Sequence, residues 1–255
     1  MNNISAFAFD LDGTLYCGNR AVEGAVDTVA NLINSNYQVF YFTNNSARGR
    51  QQIVDKLSRL GFPATLQNTY CASYSIAAYL LEKKLSTVYL IGTDDLKNEL
   101  LIHKIEIKDS SDVSAVVVGL DSFFDYGKIL IALEAIDKGA KLIVANTDPC
   151  YPVENNKKLP GCGAMVGAIV GATHHAPDFI VGKPNTYMFE LLCQEHNLSP
   201  AEICVVGDSL ESDIKMANHS KCQCILFDSE NASPAFSGNK VKSLREIVSL
   251  INIKK

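Results

Sequence analysis

The chain has 255 residues, 23 of them basic and 28 acidic, so its formal net charge is 23 − 28 = −5. Hydrophobic residues make up 47% and charged residues 20%, which excludes a largely disordered chain and leaves ample apolar surface for a core. The acidic balance argues against wrapping nucleic acid, which needs a positive field, but leaves room for a local positive pocket that holds a small anion.

At roughly 150 residues per domain the length fits one large domain or two small ones. The longest apolar stretches, such as residues 164–172, fall far short of the ~18–20 residues a helix needs to cross a bilayer. Met1-Asn2-Asn3-Ile4-Ser5 lacks the basic segment and apolar run of a signal peptide. Both points lead to the expectation of a cytoplasmic protein without a membrane partner. The eight cysteines are scattered and form no Cys-x-x-Cys pair. They read as reduced, mostly buried thiols, with Cys222-x-Cys224 a weak metal or redox hint.

In chain order, an apolar run at 4–9 reads as a buried strand. A helical period follows over 25–35, then a second strand at 38–42 and a helix over 50–60 that Gly61 stops. Strands are expected at 87–91, 114–118 and 141–145, with a helix at 126–138 ending at Gly139. A strand at 178–181, a helix at 187–196 and strands at 203–206 and 224–227 complete the series. Alternating strand and helix implies an α/β fold with a mostly parallel sheet. The middle third, roughly 83–180, has its own strand–helix pattern and its own glycine-rich loop, Pro160-Gly161-Cys162-Gly163, so it reads as a candidate inserted domain.

Four of the runs end in residues suited to phosphate chemistry: Asp10-Leu11-Asp12-Gly13-Thr14, Thr43-Asn44-Asn45-Ser46, Gly182-Lys183-Pro184 and Gly207-Asp208-Ser209. If the four strands are parallel, their ends share one rim, where open α/β sheets bind ligands. Asp10, Asp12, Asp208 and Asp213 would crowd carboxylates into one pocket. Like charges at ~4 Å repel by about 4 kcal/mol at an effective dielectric near 20, so a divalent cation is the natural remedy. Oxygen-only ligands favour Mg²⁺, which also accepts a phosphate oxygen. The Thr43 hydroxyl, the Lys183 ammonium and loop N–H groups could hold the phosphoryl group.

In this order the four segments resemble the motifs of the haloacid dehalogenase (HAD) superfamily. The first matches Asp-x-Asp-x-Thr, and Thr43, Lys183 and Gly207-Asp208-x-x-x-Ser212-Asp213 match the other three, with Ser212 where Thr is common. Thr43-Asn44-Asn45-Ser46 and the long insert resemble the NagD-like, or p-nitrophenyl phosphatase-like, subfamily. So do Val118-Gly119-Leu120-Asp121, Ala145-Asn146-Thr147-Asp148 and Leu159-Pro160-Gly161-Cys162-Gly163-Ala164. The resemblance implies a Rossmann-like parallel-sheet core over 1–82 and 181–255, with an inserted α/β cap domain over 83–180. It implies a Mg²⁺-dependent phosphatase that acts on a small phosphorylated metabolite through an aspartyl-phosphate.

In that scheme Asp10 is the nucleophile and Asp12 the general acid and base. Asp10, Asp208 and the Asp12 carbonyl bind the metal, supported by Asp213 and Ser209. Thr43, the Asn44 backbone and Lys183 bind the phosphate. Asn146 and Asp148 follow a cap strand and are candidate substrate contacts. Tyr16, Cys17 and Arg20 are candidates for lining the entrance. Gly161 and Gly163 read as turn formers, and His174-His175 as a solvated loop pair. Caps of this kind often dimerise, so a homodimer through the cap stays open. Two other readings stay open as well, a phospho-accepting signalling module and a catalytically silent phosphate-binding protein; steady turnover separates the enzyme from both.

Overall fold

The computed structural model describes residues 3–153 and 157–252; Met1 and Asn2 of the N-terminal reading lie outside them. Contacts divide the chain into two compact units. The first takes in residues 3–43, 51–70 and 183–252, and the second 44–50 and 71–182 apart from 154–156. The sequence places one boundary at 82/83, but the helix Ala72–Glu82 lies in the second unit. Among the described residues no helix is long and apolar enough to cross a membrane.

The first unit is built on a six-stranded sheet. Its order runs Lys240–Val241, Gln223–Phe227, Ile203–Gly207, Ala6–Asp10, Gln38–Thr43, Thr69–Cys71. From Gln38–Thr43 through to Lys240–Val241 every neighbouring pair is parallel. The two central strands, Ala6–Asp10 and Ile203–Gly207, are buried along their whole length. Strands covered on both faces read as unbroken apolar runs, which is why Ala-Phe-Ala-Phe and Ile-Cys-Val-Val carry no alternation. Helices pack on this sheet through one apolar stripe. In Ala25–Asn34 the buried residues are Ala25, Thr28, Val29 and Leu32, the spacing that one helical face requires.

The second unit carries a five-stranded parallel sheet, ordered Phe179–Ile180, Lys141–Val144, Ala115–Val118, Thr87–Ile91, Glu106–Ile107. Its helices are Ala72–Glu82, Asp94–Ile102, Tyr126–Asp137 and Cys162–Thr173. An antiparallel hairpin pairs Cys150–Val153 with Lys157–Pro160. The fold is thus α/β with a central parallel sheet, as the alternation of elements requires.

One expectation needs correction. The strand before Lys183 is not part of the first unit's sheet. Phe179–Ile180 pairs with Lys141–Val144, and the Val181 and Gly182 amides continue that pairing onto the carbonyls of Val144 (2.9 Å) and Ala145 (2.7 Å). Only three of the four strand ends therefore share a sheet, and Lys183 enters the first unit from a loop.

Candidate active site

In the first unit Asp10 ends its strand, Thr43 ends the neighbouring one, and Asp208 follows the strand on the other side. Parallel strands put these ends on one edge of the sheet. Asp213 sits on the short helical turn of π type, Leu210–Ile214, that follows Asp208. The Ser209 hydroxyl accepts from the Ser212 amide (3.2 Å), and the Ser209 amide donates to Asp213 Oδ2 (3.2 Å). Ser209 thus shapes the turn and aims Asp213.

Lys183 joins these pieces. Its Nζ donates to Asp10 Oδ1 at 2.6 Å, to Asp213 Oδ1 at 2.6 Å and to the Phe42 carbonyl at 3.3 Å. Its residue is 3% exposed, against 9% for Asp10 and 1% for Asp213. Burial alone would lower the Lys183 pKa, but the two carboxylates outweigh it and hold the ammonium above lysine's usual value. The first effect on Asp10 is burial. It lifts the carboxyl well above its usual range, Asp213 and Asp208 add to the rise, and Lys183 opposes it. Burial and then Asp213 raise Asp208 as well.

Asp208 accepts a long hydrogen bond from the Thr14 hydroxyl (3.4 Å). Its carboxylate occupies the place a Cβ on Gly13 would take, and Gly13 has a φ of +94°. Both constraints demand glycine in the Asp-Gly-Thr turn.

Asp10, Asp208 and Asp213 each offer one oxygen, and the three atoms lie within 4.8 Å of one another. Three carboxylates and one ammonium leave a formal charge of −3 + 1 = −2. The donors are hard oxygens, and two of the acids are pushed toward the protonated form. A divalent cation such as Mg²⁺ fits this set in charge and in donor type.

Asp12 stands apart from the three. Its side chain is 55% exposed. Oδ2 accepts from the Tyr16 hydroxyl at 3.0 Å, and Oδ1 lies 4.0 Å from Lys56 Nζ. Lys56 also covers the Tyr16 ring, 3.6 Å from its centroid. Tyr16 is buried and holds Asp12, while Cys17 and Arg20 are exposed. Sequence reasoning gave Thr14 only as a member of its motif, missed Lys56, and placed Tyr16 at the entrance rather than on Asp12. The spacing of Tyr16, four residues after Asp12, was the one available signal.

Asn44, Asn146 and Asp148 belong to the second unit and form a network there. Asn146 Nδ2 donates to the Asn44 carbonyl (2.9 Å), and Asn44 Nδ2 to Asp148 Oδ2 (3.3 Å). Gly161 and Gly163 make room for the Asp148 and Thr147 carbonyls. His175 is paired with Asp178 at 2.9 Å. Cys222 and Cys224 belong to no metal-spaced group among the described residues, and burial pushes the Cys222 thiol up to about 12.

Residues 7–106 match the Haloacid dehalogenase-like hydrolase family, and residues 180–244 match a second model of HAD-hydrolase-like proteins. The acid sugar phosphatase of Staphylococcus saprophyticus is 34% identical over 215 residues, an alignment that covers 84% of this chain and 82% of the relative. The 4-nitrophenylphosphatase of Thermotoga maritima superposes with a TM-score of 0.90 at 25% identity and covers 97% of each chain. A glycerol phosphate phosphatase from Mycobacterium tuberculosis, solved in complex with magnesium, gives 0.84 at 29% identity. That match covers 95% of this chain and 76% of the other. The chain belongs to the haloacid dehalogenase-like hydrolases, in their NagD-like, p-nitrophenyl phosphatase-like branch, and is a phosphoric monoester hydrolase of that type.

Proposed function

We propose that the protein is a Mg²⁺-dependent phosphatase that hydrolyses a small phosphomonoester through a phosphoryl group carried on Asp10. The carrying observation is the buried bridge of Lys183 between Asp10 and Asp213, with Asp208 completing the acidic cluster. Lys183 holds Oδ1 of Asp10, which leaves Oδ2 as the oxygen offered to phosphorus.

Asp10 attacks phosphorus, and the bond to the ester oxygen breaks. Asp12 delivers its proton to that leaving oxygen. Asp12, now ionised, takes a proton from water as the water oxygen attacks the phosphoaspartate. The bond to Asp10 breaks, and inorganic phosphate leaves. Tyr16 and Lys56 hold the Asp12 carboxylate for both transfers. Thr43, the Asn44 amide and Lys183 bind the phosphoryl oxygens, so most of the rate comes from positioning and electrostatics. Asp10, Asp208 and the Asp12 carbonyl would hold Mg²⁺, with Asp213 as an outer partner, and the ion would neutralise charge on phosphate and nucleophile.

The related phosphatases act on sugar, nitrophenyl and glycerol phosphates, which supports a small phosphorylated metabolite as substrate. Phosphate release from a panel of sugar phosphates, nucleoside monophosphates, glycerol phosphate and p-nitrophenyl phosphate tests the reading, with Mg²⁺ and with EDTA. Release that needs Mg²⁺ and is lost in Asp10→Asn is expected. Release that survives either change contradicts it.

A further inference from the structure

The chain passes between its two units at 43/44, 50/51, 70/71 and 182/183. The first and the last of these adjoin phosphate-binding residues of the reading above, Thr43 and Lys183, and both are tied to one place in the second unit, the end of the strand Lys141–Val144. On one side Gly182 donates its amide to the Ala145 carbonyl (2.7 Å). On the other, Asn146 Nδ2 donates to the Asn44 carbonyl (2.9 Å), and the Asp148 carboxylate takes the Asn44 side-chain amide (3.3 Å). The two sides also touch. A Cβ on Gly182 would stand 2.6 Å from the Ala145 oxygen and 2.6 Å from Asn44 Oδ1.

We propose that Asn146 is a positioning residue that braces the passage at 43/44 and so sets the direction of the Asn44 amide beside Thr43, rather than a contact to substrate. Both ends of its side-chain amide are in use: Nδ2 on Asn44, and Oδ1 accepting from the Asp148 amide (3.1 Å). The residue is 5% exposed. A buried amide whose donor and acceptor are both engaged within its own unit acts as a brace. The loop that carries it is itself fixed. The Gly161 amide donates to the Pro149 carbonyl (2.9 Å) and the Gly163 amide to the Asp148 carbonyl (2.9 Å), at the first turn of the helix Cys162–Thr173.

With the Asn44 carbonyl and side chain both held, its backbone has little rotational freedom, and its N–H direction follows. That N–H belongs to the peptide that joins Thr43 to Asn44. The neighbouring Ala145 carbonyl holds Gly182, whose carbonyl carbon is bonded to the Lys183 nitrogen.

The inference rests on the phosphatase reading and is tested with Asn146→Ala and, independently, Gly182→Ala in the full chain. The Gly182 change keeps every hydrogen-bonding group but drives a methyl between Asn44 and Ala145. kcat/KM is measured for p-nitrophenyl phosphate, glycerol phosphate and a nucleoside monophosphate, together with inhibition by inorganic phosphate and the melting temperature. A bracket acts on the phosphoryl group alone. Misplacement of the order of 1 Å costs roughly 10–100-fold, so kcat/KM falls by that factor for all three substrates and their ratios hold. The inhibition constant for inorganic phosphate, which has no leaving group, rises in parallel, whereas loss of stability alone moves the melting temperature and leaves that constant in place.

A loss confined to one substrate makes Asn146 a substrate contact and overturns the proposal, as does wild-type kcat/KM in a folded Asn146→Ala. If Asn146→Ala does not fold, Gly182→Ala decides by the same criteria. A wild-type enzyme that hydrolyses none of the three overturns the phosphatase reading instead, and the two failures are distinct.

Discussion

Replacing Lys183 by methionine removes the ammonium and keeps an unbranched side chain one atom shorter. The ammonium sits 2.6 Å from both Asp10 and Asp213, and the three side chains are 2%, 11% and 1% exposed. Breaking a buried ion pair by deleting one partner costs about 3–5 kcal/mol, because the remaining charge is left uncompensated. At about 2–4 °C per kcal/mol for a chain of this size, the melting temperature drops by about 6–20 °C. The pH dependence has a definite sign. The folded-state pKa of Lys183 is raised, so its stabilisation is complete below the ordinary lysine value of about 10.4 and is lost only as pH rises through the folded value. It is therefore fully present at pH 7. Burial already favours the protonated form of Asp10, and in the variant that acid takes up a proton more readily still. The deficit against wild type consequently narrows as pH falls from 8 toward 5. Differential scanning fluorimetry in EDTA reads both effects. A variant that melts within about 2 °C of wild type at pH 7 would refute the bridging role of Lys183.

Three further outcomes follow from the same geometry. Mg²⁺ at 100 times its dissociation constant stabilises the fold by about 2.7 kcal/mol, a rise of about 5–11 °C in melting temperature; Asp208→Asn loses most of that rise, and an equal rise in the variant would remove Asp208 from the metal site. Tyr16→Phe deletes the hydrogen bond to Asp12 and lowers kcat about fivefold for glycerol phosphate, from about 1 kcal/mol; p-nitrophenyl phosphate, whose leaving group needs less protonation, loses less, and equal losses would separate Tyr16 from proton delivery. Burial pulls the Asp178 carboxyl up, but bonds from Lys141, His175 and the Leu142 amide, each 2.9 Å, outweigh it and hold it below the usual range. Its stabilisation is thus present above the unfolded value of about 3.9 and fades as pH falls through the folded one; Asp178→Asn melts about 2–4 °C lower at pH 7 and level with wild type at pH 2, and a gap that persists at pH 2 would contradict the assignment.

Asp10, Thr43 and Asp208 were legible in the sequence because parallel strands buried on both faces are uniform apolar runs, and a polar residue that ends such a run stands out. Lys183 was legible by its motif, but the condition that its strand lines up with the other three does not hold. Phe179-Ile180-Val181 is equally apolar beside either sheet, and only long-range pairing decides. The helix Cys162–Thr173 escaped notice for a different reason. Gly-Ala-Met-Val-Gly-Ala-Ile-Val-Gly-Ala is apolar all round and shows no 3.6-residue period. The hairpin Cys150–Val153 with Lys157–Pro160 was hidden by its prolines, which argue against strand. Asn146 and Asp148 stood out as polar residues after a strand, but whether an amide faces a ligand or its own backbone depends on burial and partners that local sequence does not encode.

The central claim is that Asp10 carries the phosphoryl group. The direct measurement is to quench the enzyme with acid during turnover of p-nitrophenyl phosphate and Mg²⁺, reduce it with borohydride, and map the protein by mass spectrometry. An aspartyl-phosphate becomes homoserine under this treatment. The account predicts homoserine at position 10, dependent on substrate and absent in Asp10→Asn. Homoserine at another aspartate, or none in an enzyme that is turning over, would contradict it.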